Sequence, residues 1–553
     1  MLMTIHNSAG AVSMLIGCGA AVATQVALAD DAFLKPNTLV ISSSNYVNSE
    51  GAVAKLVPGT QLPGTGLTLD SNGNVTATGS TVSAVSGNNY VTVWGNEVPD
   101  ASFGVTSPIT LTDMEPNSRH IFATLSVPTD QVVTSFSSKS ELGLHYTRDQ
   151  NGGHLIFGGY GLAGVGALDV SNADAVQGQD VTNPVTFAFG SEYAFSRTIV
   201  ALDDKNDLSY TPTINYGGNN GRAALLGSNG LYYTVGNANN GNAATFGSST
   251  NFTHPDVTET TGVEVVTPIN ARSADVAVSN GNSAEVNPLL QLGENKGKAD
   301  KPGKDDNFRG ITEHKGALYF TKGSGSNGIQ TVYTITTGAQ YASGAIPQAD
   351  VGPSVGNVLP TVANAGSQAV QVVNGFPVDS ARTAGGDFTP FAIFFANDHT
   401  MYVTDEGTGD AADIASPPTG HAGLEKWRLV NGTWQLEYVL TNGLIGASYG
   451  PLFDHNGQNP WPAVTNVGLR NLAGRHNEDG TVTLWAVTST TDTNAANTDV
   501  GADPNEVVEI TDVVAATSAT QVAHERFSVV AAPVYGKVYR GVAYVASDDK
   551  YGR

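Results

Sequence analysis

Short apolar runs and alternating apolar and polar residues recur along almost the whole chain, from Thr38 to Ala546, between Gly, Asn, Asp or Pro residues. Runs of roughly four to seven residues with a period of two are typical of β-strands joined by tight turns. No segment carries a convincing helical period of apolar residues. The pattern therefore predicts an all-β protein.

One pair of strands returns with a recognisable beginning. It reads Gly221-Arg222-Ala223 and then Phe308-Arg309-Gly310, and later copies begin at Phe391, Arg470 and Arg540. These beginnings lie roughly 70 to 90 residues apart, farther than the ~40 to 50 residues of common propeller blades. Each unit then holds four strands with long insertions, and about seven such units account for residues 30–553. The sequence predicts a single seven-bladed β-propeller.

The two ends of the chain complement each other. Residues 539–545 form a first strand with no second strand after it, whereas residues 38–42 form a second strand with no first strand before it. We predict that these strands share one blade. Such a blade closes the ring by hydrogen bonds and leaves no open sheet edge.

Two earlier units have a less regular pattern. Residues 102–106 and 109–111 resemble the beginning of one unit, with residues 121–125 as its next strand, and residues 142–146 followed by 154–158 form another. These assignments bring the predicted number of blades to seven.

The clearest hairpin joins residues 423–430 to residues 433–439 through Asn431-Gly432. Asn-Gly between two alternating strands favours a two-residue turn, since both turn residues need a positive φ. We interpret Trp427 and Trp434 in these strands as packing residues between blades rather than ligand-stacking residues.

The composition limits the classes of partner. Of 553 residues, 40% are hydrophobic and 14% charged, and 26 Lys and Arg stand against 50 Asp and Glu, a net charge of −24. This charge repels nucleic acids and anionic membranes, so we expect neither as a partner. We also predict a monomer.

The first 29 residues are typical of a signal peptide. Residues 9–23 are almost wholly apolar or small, and Ala27-Leu28-Ala29 offers a cleavage site before Asp30. We predict a secreted or periplasmic protein. In the alternative, Cys18 ends a lipobox-like Leu15-Ile16-Gly17-Cys18 and anchors a lipoprotein. No later stretch reaches the ~18 to 20 apolar residues of a membrane helix.

The arginines at the beginnings of the repeated strands are candidate ligand-binding residues. These are Arg222, Arg309, Arg470 and Arg540. Four guanidinium groups at equivalent positions could form a ring that grips a carboxylate or phosphate with paired hydrogen bonds. In the alternative, each arginine braces a neighbouring blade by pairing with a carboxylate or with main-chain carbonyls.

Carboxylates precede several innermost strands, where propellers gather their ligand sites. Asp305, Asp306 and Asp387 are candidate ligands of a hard cation such as calcium, which takes six to eight oxygen ligands. Asp405, Glu406 and Asp410 form a weaker second candidate. The alternative is that these residues stabilise turns, as Asp commonly does.

The repeated strand pair and the complementary ends resemble seven-bladed propellers of the NHL, lactonase and streptogramin-lyase-like kind, a fold with mixed functions. Residues 303–310, 423–434 and 135–142 resemble an uncharacterised group of secreted microbial proteins. This resemblance implies the fold and export of the chain, and it implies no catalytic residue.

Two functions remain open. In the first, an exported propeller binds a glycan, a peptide or a small molecule through its rim loops. In the second, a calcium-dependent hydrolase or lyase, similar to propeller lactonases or phytases, acts at the mouth of the channel. The sequence has no His-Glu-x-x-His motif, and its 11 histidines follow no metal-ligand spacing.

Overall fold

A computed structural model shows an all-β propeller with six blades. It describes residues 33–46, 106–136, 142–166, 196–213, 219–237, 261–276, 282–286, 306–323, 328–337, 359–377, 388–407, 421–453, 463–492 and 503–547, with the shorter pieces 61–62, 67–69, 75–77, 82–83, 170, 215–216, 348–349 and 501. Within this part of the chain, no helix is long and apolar enough to cross a membrane. The predicted signal peptide and Cys18 lie outside the described residues.

The first sheet combines both ends of the chain. Its order is β32 (Lys537–Val545), β1 (Thr38–Asn45), β7 (Ile109–Met114) and β8 (Ile121–Ser126). β1 and β32 are antiparallel neighbours from Thr38 opposite Val545 to Asn45 opposite Lys537. The two segments that the sequence predicts to share a blade therefore do so.

The prediction of seven blades is wrong, and the first sheet shows the reason. The strands that we predicted to begin a separate unit, β7 and β8, are instead the third and fourth strands of the first sheet, because β7 pairs with β1. Ile109 and Leu111 of β7 belong to the same buried apolar cluster as Val40 of β1. One predicted blade thus merges with the blade formed by the chain ends.

The second and third sheets follow along the chain. The strands of the second are β6 (Thr106–Ser107), β9 (Val132–Ser135), β10 (His145–Asp149), β11 (Gly152–Gly161), β12 (Arg197–Asp203) and β13 (Leu208–Thr213). Their order in the sheet is β13, β12, β11, β9, β6, and β10 also pairs with β11. The third contains β14 (Gly221–Leu226), β15 (Tyr232–Gly236), β16 (Gly262–Val266) and β17 (Ser283–Glu285) in sequence order.

The remaining three sheets repeat this antiparallel arrangement. The fourth has β18 (Ile311–His314), β19 (Ala317–Lys322), β20 (Thr331–Thr337), β22 (Gln368–Val373) and β21 (Gln348–Ala349). The fifth has β23 (Pro390–Asn397), β24 (Thr400–Asp405), β25 (Gly423–Val430) and β26 (Thr433–Leu440). The sixth has β27 (Ser448–Tyr449), β28 (Val464–His476), β29 (Thr481–Asp492), β30 (Val507–Val513) and β31 (Ser528–Ala531).

Three smaller elements complete the list. Two short antiparallel pairs join β2 (Gln61–Leu62) to β5 (Val82–Ser83) and β3 (Leu67–Leu69) to β4 (Val75–Ala77). A 3₁₀ turn spans Ala365–Ser367.

The core lies in the interfaces between successive sheets. Ile156 of the second sheet packs with Ala224 of the third, and Tyr319 of the fourth packs with Trp427 of the fifth. The sixth sheet packs on the first in the same way, through the fully buried Trp485. Alternating apolar residues on the faces of each sheet thus stabilise the propeller by burial.

The predicted hairpin of the fifth sheet is confirmed. Asn431 and Gly432 both have positive φ, 51° and 81°, and Val430 pairs with Thr433 across the turn. Trp427 and Trp434 are buried in the apolar cluster between the fourth and fifth sheets, as the packing interpretation predicts.

Arg222, Arg309, Arg470 and Arg540, at the beginnings of the repeated strands, are called the head arginines. Two of them, Arg309 and Arg540, are followed by a glycine, and the reason is steric. A Cβ atom on Gly310 would collide with the carbonyl oxygen of Phe391, and one on Gly541 would collide with the carbonyl oxygen of Leu142. The first strands of neighbouring sheets contact one another here, so there is no room for a side chain between their backbones.

We expect Gly310→Ala to lower the free energy of unfolding by about 2 kcal/mol, because the fourth and fifth sheets must move apart to admit a methyl group. Urea denaturation followed by tryptophan fluorescence measures the change. Gly366→Ala is the matched control, since no atom lies within 4 Å of the added methyl group. Equal stability of the two variants would show that the inner backbones tolerate separation.

Candidate functional site

The innermost strands begin at the edge of the sheets where the second strands end. Gly221 pairs with Gly236 in the third sheet, Arg309 N donates to Thr321 O in the fourth, and Pro390 pairs with Asp405 in the fifth. We call this edge the head rim (residues 219–222, 236–237, 306–309, 388–391 and 405–407). The head rim contains arginines and carboxylates that the sequence analysis proposed as candidate site residues.

Two of the four head arginines contact a neighbouring sheet. Arg470 Nε lies 3.2 Å from Glu406 Oε2, and both side chains are only 4% exposed. Arg540 Nη2 donates to the carbonyl oxygen of Phe136 in the second sheet. Buried ion pairs of this kind contribute to stability only while both partners are present. These two contacts match the bracing alternative.

The other two head arginines lie on the head rim itself. The Arg309 guanidinium lies 5.9 Å from the ring centroid of Phe391 in the fifth sheet, a cation–π distance. Arg222 donates from Nε and Nη2 to Asn237 Oδ1, at 3.2 and 3.1 Å, within its own sheet. All four arginines are buried, and Arg222 is the most exposed of them at 7%.

A second arginine accompanies Arg222 in a cavity between the second and third sheets. Arg197, the first residue of β12, donates from Nε and Nη2 to Asn219 O at 3.1 and 2.6 Å, and its guanidinium lies 5.3 Å from the Tyr160 ring. Both arginines line the cavity, whose volume is about 30 Å³. The sequence analysis missed Arg197, because Arg197 begins β12 and not one of the repeated strands that carry an arginine at their beginning.

Only one of the three predicted metal ligands lies within the described residues. Asp306 is buried on the head rim and its carbonyl accepts a hydrogen bond from Phe308 N. Asp305 and Asp387 lie outside the described residues. In the described part of the chain, no group of three or more His, Cys, Asp and Glu residues is arranged to hold a metal ion. Calcium binding therefore stays a prediction.

The weaker acidic candidate divides between two environments. Asp405 accepts hydrogen bonds from Thr389 N at 2.6 Å and Gly407 N at 2.9 Å, and also from the Thr389 hydroxyl. Glu406, the next residue, turns toward Arg470 instead. Asp410 lies outside the described residues. Asp405 is thus bonded within the fifth sheet, whereas Glu406 contacts the sixth.

A histidine and a second carboxylate lie beside Asp405. Glu425 is on β25, where it pairs with Val403, two residues before Asp405 on β24. One oxygen of Glu425 contacts His421 Nδ1, and the other accepts a hydrogen bond from Trp427 Nε1 at 2.6 Å. The Glu425 side chain is fully buried, whereas that of His421 is 22% exposed. The histidine therefore connects a buried carboxylate to solvent.

The pKa values of both carboxyls are raised by burial. The pKa of Asp405 rises to about 6, even though its hydrogen bonds from Thr389 and Gly407 favour the charged form. The pKa of Glu425 rises to about 7, where the negative charge of Asp405 adds to burial and contact with His421 opposes it. Both groups thus change protonation near neutral pH, which is common at functional sites.

The strand pattern around Glu425 contains a signal for a buried carboxylate. In Gly423-Leu424-Glu425-Lys426-Trp427-Arg428-Leu429, the alternation places Glu425 on the same face as Trp427 and Leu429, which pack in the core. A carboxylate on an apolar face needs a partner. The partner, His421, precedes the strand and could not be identified from periodicity.

Comparisons with known proteins assign no family to the chain. No family model matches the chain, and no curated protein matches it by sequence. Among solved structures, similar chains include a GH43 β-xylosidase/α-arabinofuranosidase from a compost microbial metagenome, with 10% identity over 74% of this chain and 93% of that chain and a TM-score of 0.29.

Two further solved structures are similar to this chain. A mutant NanB sialidase from Streptococcus pneumoniae has 7% identity, covers 74% of this chain and 63% of its own, and has a TM-score of 0.34. A hypothetical selenium-binding protein from Sulfolobus tokodaii has 10% identity, coverages of 92% and 93%, and a TM-score of 0.33.

Proposed function

We propose that this chain is an exported β-propeller that binds a ligand carrying a small anionic group, such as a carboxylate, in the cavity between the second and third sheets. The observation that carries the proposal is that two buried arginines, Arg197 and Arg222, line one cavity at the head rim. Export is supported by the apolar residues 9–23 and the Ala27-Leu28-Ala29 cleavage site.

The electrostatics of the cavity favour an anion. The hydrogen bonds that hold Arg197 and Arg222 in place include those to a main-chain carbonyl, Asn219 O, and to a side-chain amide oxygen, Asn237 Oδ1. These two acceptors are neutral and fix the orientation of the guanidinium groups. Two oriented cations in a partly buried site attract an anion more strongly than in water.

The shape of the cavity limits what can enter. Its walls combine glycine backbone at Gly158, Gly159 and Gly221 with the side chains of Ile199 and Ala224. A volume of about 30 Å³ has room for about two water molecules. We therefore propose that one carboxylate or a similar group enters, while the body of the glycan, peptide or small molecule stays on the rim.

We expect Arg222→Gln to weaken binding of such a ligand about 10-fold to 100-fold, the cost of losing a charge-assisted hydrogen bond. Isothermal titration calorimetry with glucuronate, acetate and a peptide ending in glutamate measures this. Arg272→Gln is the control, since Arg272 is exposed and pairs with Asp207 on the surface. Failure of all three ligands to bind at millimolar concentration, or equal affinity of Arg222→Gln and wild type, would contradict the proposal.

A further inference from the structure

A lysine and an aspartate face each other in the interface between the fifth and sixth sheets. Nζ of Lys426, on β25, lies 2.9 Å from Oδ2 of Asp512, on β30, and neither side chain is exposed to solvent. The two residues are 86 positions apart in the sequence. The packing of two blades thus holds an amine and a carboxyl group together, out of contact with bulk water.

Two phenol groups bind the carboxylate of Asp512. Tyr438 Oη donates to Oδ1 at 2.7 Å, and Tyr402 Oη donates to Oδ2. Burial and the contact with Asp512 raise the pKa of both phenols, so they keep their protons and remain donors. Donors on both oxygens stabilise the negative charge that the carboxyl group carries when a nucleophile bonds to its carbon.

Glu525 supplies a second carboxyl group beside that of Asp512. The residue is only 8% exposed, and its Oε1 accepts a hydrogen bond from the backbone N–H of Val513, the residue after Asp512, at 3.3 Å. Burial and the neighbouring Asp512 raise the pKa of Glu525 to about 8. Glu525 therefore carries a proton at neutral pH and can donate it to an adjacent oxygen.

The amine of Lys426 has the environment of a nucleophile. Burial lowers the pKa of its ammonium group, although Asp512 opposes the shift. Carbonyl oxygens of Val513 and Ala516, at 2.7 and 3.0 Å, fix the position of Nζ. Reacting groups that are held in place in this way react far faster than the same groups free in solution.

We propose that Lys426 and Asp512 form an amide bond with each other in the folded protein, with Glu525 as the proton-transfer residue. The ion pair is the state that precedes the bond. The ammonium group first gives a proton to the carboxylate, and the neutral Nζ then bonds to Cγ of Asp512. The bond from Cγ to one oxygen breaks as that oxygen takes a proton from Glu525, and the surplus proton on nitrogen returns to Glu525. One water molecule leaves, and no oxidant or other reactant is consumed.

The bond would link β25 of the fifth sheet to β30 of the sixth. The chain has a single cysteine, Cys18, so no disulfide can link two of its own sheets. A covalent link between residues distant in sequence stabilises a fold mainly by restricting the unfolded chain. The reaction does not involve the cavity of Arg197 and Arg222, so it does not depend on the anion binding proposed there.

The intact mass of the purified protein, measured under denaturing conditions, tests the proposal. We expect the mass of wild type to be lower by one water molecule than the mass calculated for its sequence. Proteolytic digestion should yield a branched peptide that joins Lys426 to Asp512. Lys426→Met, which lacks the amine, should have its full calculated mass. A full calculated mass for wild type would overturn the proposal, and so would a loss of water without the branched peptide, as an aspartyl succinimide gives.

Glu525→Gln tests the role of the second carboxyl group. An amide does not transfer the proton, so the fraction of chains with the bond should fall about 10-fold or more in protein that circular dichroism shows to be folded. Glu478→Gln, an exposed change on the sixth sheet, is the control and should keep the wild-type fraction. An equal fraction in folded Glu525→Gln and wild type would reject this role. If Glu525→Gln does not fold, the wild-type mass and the branched peptide still decide whether the bond exists.

Discussion

Replacement of Asp512 by Ala lowers the free energy of unfolding by about 3 to 5 kcal/mol, the cost expected when one partner of a buried ion pair is removed. Asp512, on β30 of the sixth sheet, lies 2.9 Å from Lys426 Nζ on β25 of the fifth, and neither side chain is exposed to solvent. The hydroxyls of Tyr402 and Tyr438 also donate to its carboxylate. The variant would leave a lysine and two tyrosines without this acceptor.

The remaining partners of Lys426 cannot replace the lost charge. Its ammonium group also donates to the carbonyl oxygens of Val513 and Ala516, at 2.7 and 3.0 Å, which are neutral acceptors. Burial lowers the pKa of Lys426 and Asp512 opposes this shift. In the variant, only the smaller effect of the Glu437 charge still opposes burial. The lysine therefore loses its proton more readily, and the deficit in stability should shrink as the pH rises.

Urea denaturation of wild type, Asp512→Ala and Asp207→Ala measures this effect. Asp207→Ala is the control, because it removes a carboxylate from the exposed Asp207–Arg272 pair, and surface pairs contribute little. The double variant Lys426→Met with Asp512→Leu should recover much of the loss, since it leaves no buried charge. If Asp512→Ala does not fold, Asp512→Asn serves in its place. A loss of less than 1 kcal/mol at pH 7 would show that the pair is solvated.

The stability of the protein falls between about pH 4 and pH 7, and Glu425 causes a large part of the fall. Burial raises the pKa of Glu425 from 4.5 to about 7 in the folded protein. The folded state therefore binds the proton more tightly than the unfolded state. The stabilisation is complete below pH 4.5 and is lost as the pH rises through 7, and one pKa unit corresponds to about 1.4 kcal/mol. The contribution of this one group is about 3 kcal/mol.

Thermal and urea unfolding at pH 4, 5.5 and 7.5 test this prediction. Other buried carboxyls, among them Asp405 and Glu525, with raised pKa values of about 6 and about 8, add to the total. The difference between wild type and Glu425→Gln isolates the contribution of Glu425, since glutamine does not titrate. Glu478→Gln, an exposed change on the sixth sheet, is the control. Parallel stability curves for wild type and Glu425→Gln would refute the raised pKa.

Local sequence patterns were sufficient to predict the clearest hairpin and the strand shared by the two chain ends. Alternation predicted the hairpin of residues 423–439, because a two-residue Asn-Gly turn and flanking strands depend on neighbouring residues only. The burial of Trp427 and Trp434 follows from the same alternation. The shared sheet of residues 38–42 and 539–545 was also predictable, because each segment lacks a partner strand nearby.

The number of blades could not be obtained from repeat length. β7 and β8 have the pattern of a first and a second strand, and only their pairing with β1 shows that they are the third and fourth strands of a sheet. Pairing between distant strands depends on which edges remain open after the other sheets have formed. A sequence pattern with a period of two does not indicate which distant strand is the partner.

The sequence by itself determined the all-β class, the repeated strand pairs and the positions of the arginines at their beginnings. The tertiary structure alone decided what those arginines contact: Glu406 for Arg470, Phe136 for Arg540, and a shared cavity for Arg222 with Arg197. It also brought His421 to Glu425 beside Asp405. The physical reason is that alternation specifies which face of a strand a side chain occupies, whereas its partner belongs to another strand or sheet, whose position depends on packing across the whole propeller.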